Sequence, residues 1–325
     1  MDLYLGLDTS NYTTSAALCD GDGNVLVNQK LLLPVREGER GLRQSDAVFL
    51  HVKALPKIAA MLRENLHPGD RLCAIGASKS PRDSEGSYMP CFLVGEGLGD
   101  VLSAALNIPL YTFSHQAGHV MAAAYSACRD PENALTLPSL LAAPFLAFHV
   151  SGGTTDILYA EPDPAKIMAV AHIGGTLDLN AGQVIDRTGV KMGLPFPCGA
   201  AMDEMAIDYT GKVRRDKLSV RGYTCNLSGL ENKADAVYRE TNDPAATSAY
   251  VLSAIGRTLA ELTKNLRARY PDLPIVYAGG VMSSRYIRRM LSPYGSFAEA
   301  QFSSDNATGV CLLTRETHIR ETKLH

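Results

Sequence analysis

A chain of 325 residues, 46% apolar and 20% charged, has the composition of an ordinary globular protein, long for one core and comfortable for two. A net charge of −3 excludes a global pull toward nucleic acid, so any polynucleotide contact has to come from a local basic patch. Seven scattered cysteines without a C-x-x-C pair, no apolar run of membrane-spanning length and no basic leader before the first strand point to a reduced, cytoplasmic setting without a membrane partner.

The N-terminus, LYLGLDTSNYTTSAALCDGDGNVLVNQKLL, reads as a strand carrying Asp8-Thr9-Ser10, a small polar turn, a second strand through Ser15 to Leu18, a turn at Asp20 to Gly23, and a third strand. A surface loop is expected over 30–45, then a helix over Ala47–Asn65 kinked near Pro56. Leu72–Ala77 is a short strand, Lys79–Tyr88 a polar loop, and Phe92–Leu106 a helix whose Gly95, Gly97 and Gly99 permit close packing. A strand over 108–111 leads to Ser114-His115-Gln116-Ala117-Gly118-His119, the start of an alanine-rich helix. Histidines at i and i+4 share one helical face, about 6 Å apart at Cβ, a spacing that lets two neutral imidazoles share a cation. The other reading is two helix-start histidines satisfied by backbone or water. Gln116 stands where an H-E-x-x-H protease carries its glutamate base.

A proline-bearing linker over 129–144 precedes LAFHVSGGTTDIL, residues 146–158. Gly152-Gly153 there makes a tight turn whose backbone N–H groups, with the Ser151, Thr154 and Thr155 hydroxyls, can face a phosphate or acyl-phosphate; alone it is also an ordinary hairpin. The unit repeats the N-terminal strand–turn–strand–turn–strand pattern, with its second turn at Glu161 to Pro164, and so suggests a duplicated domain. Asp178 suits a cap for a helix that presents Gly182 and Asp186 on one face. The Asp186 carboxylate can take ribose hydroxyls, or pair with Arg187 or Lys191. Gly193 to Ala200 is a rigid loop, with Gly199 starting a helix. Lys212, Arg214, Arg215, Lys217 and Arg221 form the densest basic stretch, a phosphate-backbone candidate or a solvated face. A turn at Asn226–Leu230, a long helix over Ala245–Tyr270, and a strand over Pro274–Val281 ending in Gly279-Gly280 follow. Strand, paired glycines and the helix start at Ser283-Ser284-Arg285 suit a flat nucleotide base or close packing. Asp305, before the closing helix, is either an N-cap or a third metal ligand.

Taken together, H-x-x-G-H, V-S-G-G-x-T, G-x-T-L-D-x-x-A-G-x-x-x-D, G-L-P-x-P-x-G, S-G-L, A-G-G-V and S-D-N-A resemble the TsaD family, formerly called glycoprotease or O-sialoglycoprotein endopeptidase, over nearly the whole chain. The resemblance implies an α/β fold of two actin-like (ribonuclease-H-like) lobes with a ligand cleft between them: residues 1–111 and 112–305, with the final helix, 306–325, able to return to the first lobe. It implies transfer of a threonylcarbamoyl group from its adenylate to N6 of the adenosine beside the tRNA anticodon. It also implies one divalent metal, iron or zinc, on His115, His119 and Asp305, and a TsaB-like or other actin-like partner subunit. An adenine nucleotide or acyl-adenylate would lie along Val150, Ser151, Gly152, Gly153 and Thr154, with Asp186 and Gly199 at its ribose and Gly279, Gly280 and Ser284 completing the site. No catalytic residue is singled out beyond Asp8 as a candidate.

The chain departs from the family's pattern in named places. E-T-S-C-D-E-T is replaced by Asp8-Thr9-Ser10-Asn11-Tyr12-Thr13-Thr14, the S-G-G-H-T histidine by Thr154, and A-G-E-A-F-D-K by Ala181-Gly182-Gln183-Val184-Ile185-Asp186-Arg187; Ser284 stands where an asparagine is usual. The expected activity is therefore tRNA threonylcarbamoyl transfer. The alternative is a non-catalytic, regulatory nucleotide- and metal-binding paralogue. A metallopeptidase ranks last, because Gln116 is no general base.

Overall fold

The computed structural model describes residues 1–10, 12–34, 42–130, 135–303 and 305–324; parts of the loops expected at 30–45 and 129–144, with Asn11 and Ser304, lie outside them. The first elements are β1 (Asp2–Ser10), β2 (Thr13–Asp20), β3 (Val25–Leu32), α1 (Gln44–Asn65, running through Pro56), β4 (Arg71–Ser80), α2 (Phe92–Leu106), β5 (Leu110–Ser114) and α3 (His115–Ala127). They build a sheet of order β3-β2-β1-β4-β5, antiparallel from β1 to β3 and parallel from β1 to β5. Almost every residue of β1 and β2 is buried, because both faces are covered. On one face Leu5, Leu7, Ala16, Leu18, Ile75 and Ala77 pack with Ile58 of α1 and with Leu98 and Leu102 of α2.

The second set comprises α4 (Leu137–Leu141), β6 (Phe145–Val150), β7 (Thr155–Asp163), β8 (Ile167–Thr176), α5 (Ala181–Lys191), α6 (Gly199–Asp208), β9 (Val220–Arg221), β10 (Thr224–Cys225), α7 (Ser228–Thr241), α8 (Pro244–Arg269), β11 (Ile275–Ala278), α9 (Arg285–Leu291), β12 (Ser296–Phe297) and α10 (Ala300–Ser303). Its sheet runs β12-β11-β6-β7-β8-β10-β9, with β11 parallel to β6 and β6 antiparallel to β7. Leu146, Phe148, Val150 and Ile157 pack with Val184 and Ile185 of α5 and Leu252, Ile255 and Leu259 of α8 into a second core. Asp243 caps α8 by accepting the amides of Ala245 and Ala246, and Pro244 sits in the first turn, where a missing N–H costs nothing.

The chain closes with α11 (Thr308–Leu324), which lies on the other face of the first sheet. Gly6 of β1 and Gly76 of β4 face it so closely that any Cβ would overlap Ala307, Cys311 or Thr314. Two compact units result: Met1–Tyr125, Glu161–Val170 and Ser304–His325 form one, Ser126–Ala160 and Ala171–Ser303 the other. The division falls after Tyr125 and not after residue 111, since β5 is an edge strand of the first sheet and α3 packs backbone to backbone on α11 at Gly118 and Gly309. Among the described residues, no helix is long and apolar enough to cross a membrane.

His51 of α1 is fully buried, with Nδ1 2.8 Å from the Thr14 hydroxyl and, among the described residues, no hydrogen-bond partner at Nε2. Burial favours the neutral ring and pushes its pKa down from 6.5 to about 4, against a weaker pull from Asp8. Between those values the unfolded chain takes up a proton that the folded one refuses. Stability present above the unfolded pKa is therefore lost as pH falls through the folded one, by up to about 3 kcal/mol. Urea midpoints are expected to drop across that window in the wild type and to vary less in His51→Gln; equal slopes in the two proteins would contradict this.

Candidate functional site

β5 hands the chain to α3, which places His115 at its first residue and His119 one turn later. Gly118 between them lies against Val310, so α11 draws close, and Asp305, just ahead of α11, reaches both imidazoles. His119 Nε2 lies 2.9 Å from His115 Nε2 and 3.2 Å from Asp305 Oδ1, and His115 Nε2 lies 3.6 Å from that same oxygen. All three donors fall within 4.8 Å of one another, the side chains 19%, 9% and 33% exposed. Ligands about 2.0–2.2 Å from a tetrahedral ion stand about 3.4 Å apart, so two imidazoles and a carboxylate at these separations fit a divalent cation. The two histidines are thus turned on each other and on Asp305. Next to Asp305, Asn306 Oδ1 accepts the Thr308 amide at 3.0 Å.

Electrostatics of the metal-free cluster follow from this geometry. Burial opposes charge on His115, but the Asp8 and Asp305 carboxylates outweigh it and raise its pKa to about 10. Burial and the neighbouring His115 charge lower that of His119. Both imidazoles hold Asp305 well below the usual carboxylate range despite its burial. Asp8, 1% exposed, lies behind it, Oδ2 2.8 Å from His115 Nδ1, a link across 107 positions that no local spacing signals.

The second unit holds a cavity of about 660 Å³, lined among others by Gly152, Gly182, Asp186, Gly199, Gly280 and Ser284. That volume suits a small-molecule ligand. Gly182 and Asp186 do share one face of α5, and a Cβ on Gly182 would come within 2.6 Å of the Gly152 amide nitrogen, so the helix has to meet the glycine turn without a side chain. Asp186 accepts the Cys198 amide at 2.8 Å, and burial raises its pKa. Arg187 and Lys191, the alternative partners for Asp186, reach Glu231 and Asp235 on α7 instead.

Other expected ligand residues are placed differently. Val150 has its side chain in the core, and Gly279, at φ 102°, presses on the Val150 backbone, so neither lines the cavity; Ser151, Gly153 and Thr154 do not line it either. The hydroxyls expected to meet a phosphate close the turn on itself. Ser151 Oγ accepts the Gly153 and Thr154 amides at 3.1 Å, and Thr155 Oγ1 donates to the Thr154 carbonyl and accepts the Ala181 amide. Ser284 Oγ donates to Asp203 at 2.5 Å and accepts the Ile287 amide as the cap of α9. Asp203, which the sequence reading missed, lines the cavity and also accepts the Arg285 and Tyr286 amides at 3.0 Å. Asp178 does not cap α5. It ties down the start of α7, accepting the Leu227 amide at 2.7 Å and the Ser228 hydroxyl at 2.6 Å, while Asn180 precedes α5 and donates its amide N–H to Gln183 Oε1.

Residues 45–310 match the family TsaD: tRNA N6-adenosine threonylcarbamoyltransferase. The chain belongs to this family. A tRNA N6-adenosine threonylcarbamoyltransferase of Streptococcus suis is 28% identical over 307 residues, covering 89% of this chain and 83% of the other. One of Thermus thermophilus is 28% identical over 328 residues, covering 97% and 93%. Among solved structures, the activator of the 2-hydroxyisocaproyl-CoA dehydratase from Clostridium difficile, with bound ADPNP, is similar with a TM-score of 0.51 at 10% identity, over 99% of this chain and 98% of that one. That likeness speaks to the fold alone, which is actin-like.

Against the family's motifs, Thr13 is buried in β2, opposite Ser10, and Tyr12 is half-buried with its carbonyl accepting the Leu33 amide at 2.7 Å. In the basic stretch Arg214 pairs with Asp216 and Glu240, while Lys212 and Arg215 are exposed and line a shallow depression with Ser253 and Tyr286.

Proposed function

We propose that the protein is an acyltransferase that moves a threonylcarbamoyl group from its adenylate to N6 of the adenosine beside the tRNA anticodon. The observation that carries the reading is the convergence of His115, His119 and Asp305, drawn from positions 186 residues apart in the chain, on donor atoms within 4.8 Å. When bound there, an iron or zinc ion supplies Lewis-acid stabilisation of charge on the carbamoyl oxygen. The Asp186 carboxylate takes ribose hydroxyls, and Gly152, Gly199 and Gly280 let backbone approach an adenine nucleotide or acyl-adenylate. Support for a nucleotide also comes from the ADPNP held by the structural relative. Lys212, Arg215 and the neighbouring basic residues pair with tRNA phosphates, supplying locally what the net charge of −3 does not. Exposed Phe49 and Val52 of α1 and Leu93 and Val101 of α2 offer apolar surface to a TsaB-like subunit in the cytoplasm.

The second reading, a regulatory paralogue that binds metal and nucleotide without turnover, is favoured by Tyr12 and Thr13, which replace acidic residues of the family's first motif. One experiment separates the two. Metal-reconstituted protein is given threonylcarbamoyl-adenylate, unmodified tRNA and the partner subunit, and modified adenosine is quantified. Modified tRNA supports the transferase; bound metal without modification supports the paralogue and overturns the transferase. In calorimetry, Asp186→Ala is expected to weaken AMP binding by about 1–3 kcal/mol, and unchanged affinity would remove Asp186 from the site.

A further inference from the structure

We propose that Asp8 is the positioning residue of the metal centre: its buried carboxylate holds the Nδ1–H of His115 and so leaves Nε2 as the nitrogen offered to the cation. This inference rests on the metal reading above. Asp8 sits in β1, paired with Ser15 of β2 and adjoining β4. Its Oδ1 accepts from Ser78 Oγ at 2.7 Å, and its Oδ2 accepts from Ser10 Oγ at 3.2 Å and faces His115 Nδ1 at 2.8 Å. An ionised carboxylate only accepts, so the hydrogen on this last contact belongs to His115 Nδ1. An imidazole that holds a cation is neutral, and in it that hydrogen assigns the lone pair to Nε2. Nε2 is the nitrogen turned toward His119 Nε2, at 2.9 Å, and Asp305 Oδ1, at 3.6 Å. The Phe92 ring, 6.0 Å from the His115 ring between centroids, packs against the same imidazole.

Two other roles for Asp8 fail on geometry. Among the described residues the group of donors that could share an ion comprises His115, His119 and Asp305, and Asp8 is not in it. Nor can Asp8 act as a base on substrate, because it is 1% exposed and both of its oxygens are engaged. What remains is the carboxylate–histidine–metal arrangement, in which an outer carboxylate fixes tautomer and ring orientation. Ser10 and Ser78 in turn fix the carboxylate. The arrangement joins β1, β4 and α3, three elements brought together by the first sheet.

The test uses the full chain loaded with Co²⁺ or Zn²⁺. Chelator competition is expected to show Asp8→Asn binding Co²⁺ about 10–100-fold more weakly than wild type. Asp8→Glu, which keeps a carboxylate, is expected to recover part of that affinity. In the zinc-loaded wild type, ¹⁵N-edited histidine NMR should show a His115 Nδ1–H protected from exchange, and Asp8→Asn should lose the protection. Asp8→Asn binding within about threefold of wild type, where an outer carboxylate is normally worth tenfold or more, overturns the proposal. So does an equal loss in Asp8→Asn and Asp8→Glu, which would mark a packing role. An unprotected His115 Nδ1–H in the wild type overturns it however the variants fold. A wild type that takes up no metal overturns the metal reading itself, a result distinct from a loss confined to Asp8→Asn.

Discussion

His119→Ala and Asp305→Ala are each expected to reduce bound metal from one ion per chain to near none and to remove threonylcarbamoyl transfer. The expectation follows from the donor count. Two imidazoles and one carboxylate are the donors that the described residues bring together at this point, and losing one leaves two ligands for an ion that ordinarily takes three from the protein at a reactive site. Loss of an outer partner of a ligand costs about 10–100-fold in affinity or activity, so loss of a ligand itself should cost at least about 100-fold. Elemental analysis after reconstitution reads the metal, and the thermal midpoint provides the control for folding. Either variant retaining a full equivalent of metal would remove that residue from the site.

The second large effect is structural and acts on the same centre. A Cβ on Gly309 would overlap the backbone carbonyl of Gly118, which no side-chain rotation can relieve. Overpacking in a core costs about 1–3 kcal/mol where side chains can move, and a rigid helix backbone should push Gly309→Val to about 3 kcal/mol or beyond. Because α3 carries His115 and His119 and Asp305 immediately precedes α11, forcing the two helices apart also separates the carboxylate from the imidazoles. Gly309→Val is therefore expected to lower both the denaturation midpoint and the metal affinity, whereas Gly97→Ala on α2, where a Cβ meets open space, should lower neither. A Gly309→Val protein with wild-type midpoint and wild-type metal affinity would contradict the close packing of α3 on α11.

Local regularities were legible in the chain itself. Apolar runs and turn chemistry marked both antiparallel hairpins, β1–β2 and β6–β7, because strand composition and turn residues are properties of a few consecutive positions. The i and i+4 spacing put His115 and His119 on one face for the same reason, since helix geometry is set by the backbone. Asp305 is 186 positions from His119, so sequence could offer it only by resemblance to a family. Its place against the imidazoles depends on α11 lying on Gly6 and Gly76 of the sheet and touching α3 at Gly118, a matter of packing. The same holds for Asp8 behind His115, for Asp203 beneath Ser284, and for Asp178 at α7 instead of α5. A polar side chain's role is decided by which donors folding brings within about 3 Å, and those came from strands and helices remote in the chain. The sequence alone therefore determined the elements and the chemical types available. Only the tertiary structure decided which carboxylate meets a histidine, which closes a helix, and which lines the cavity.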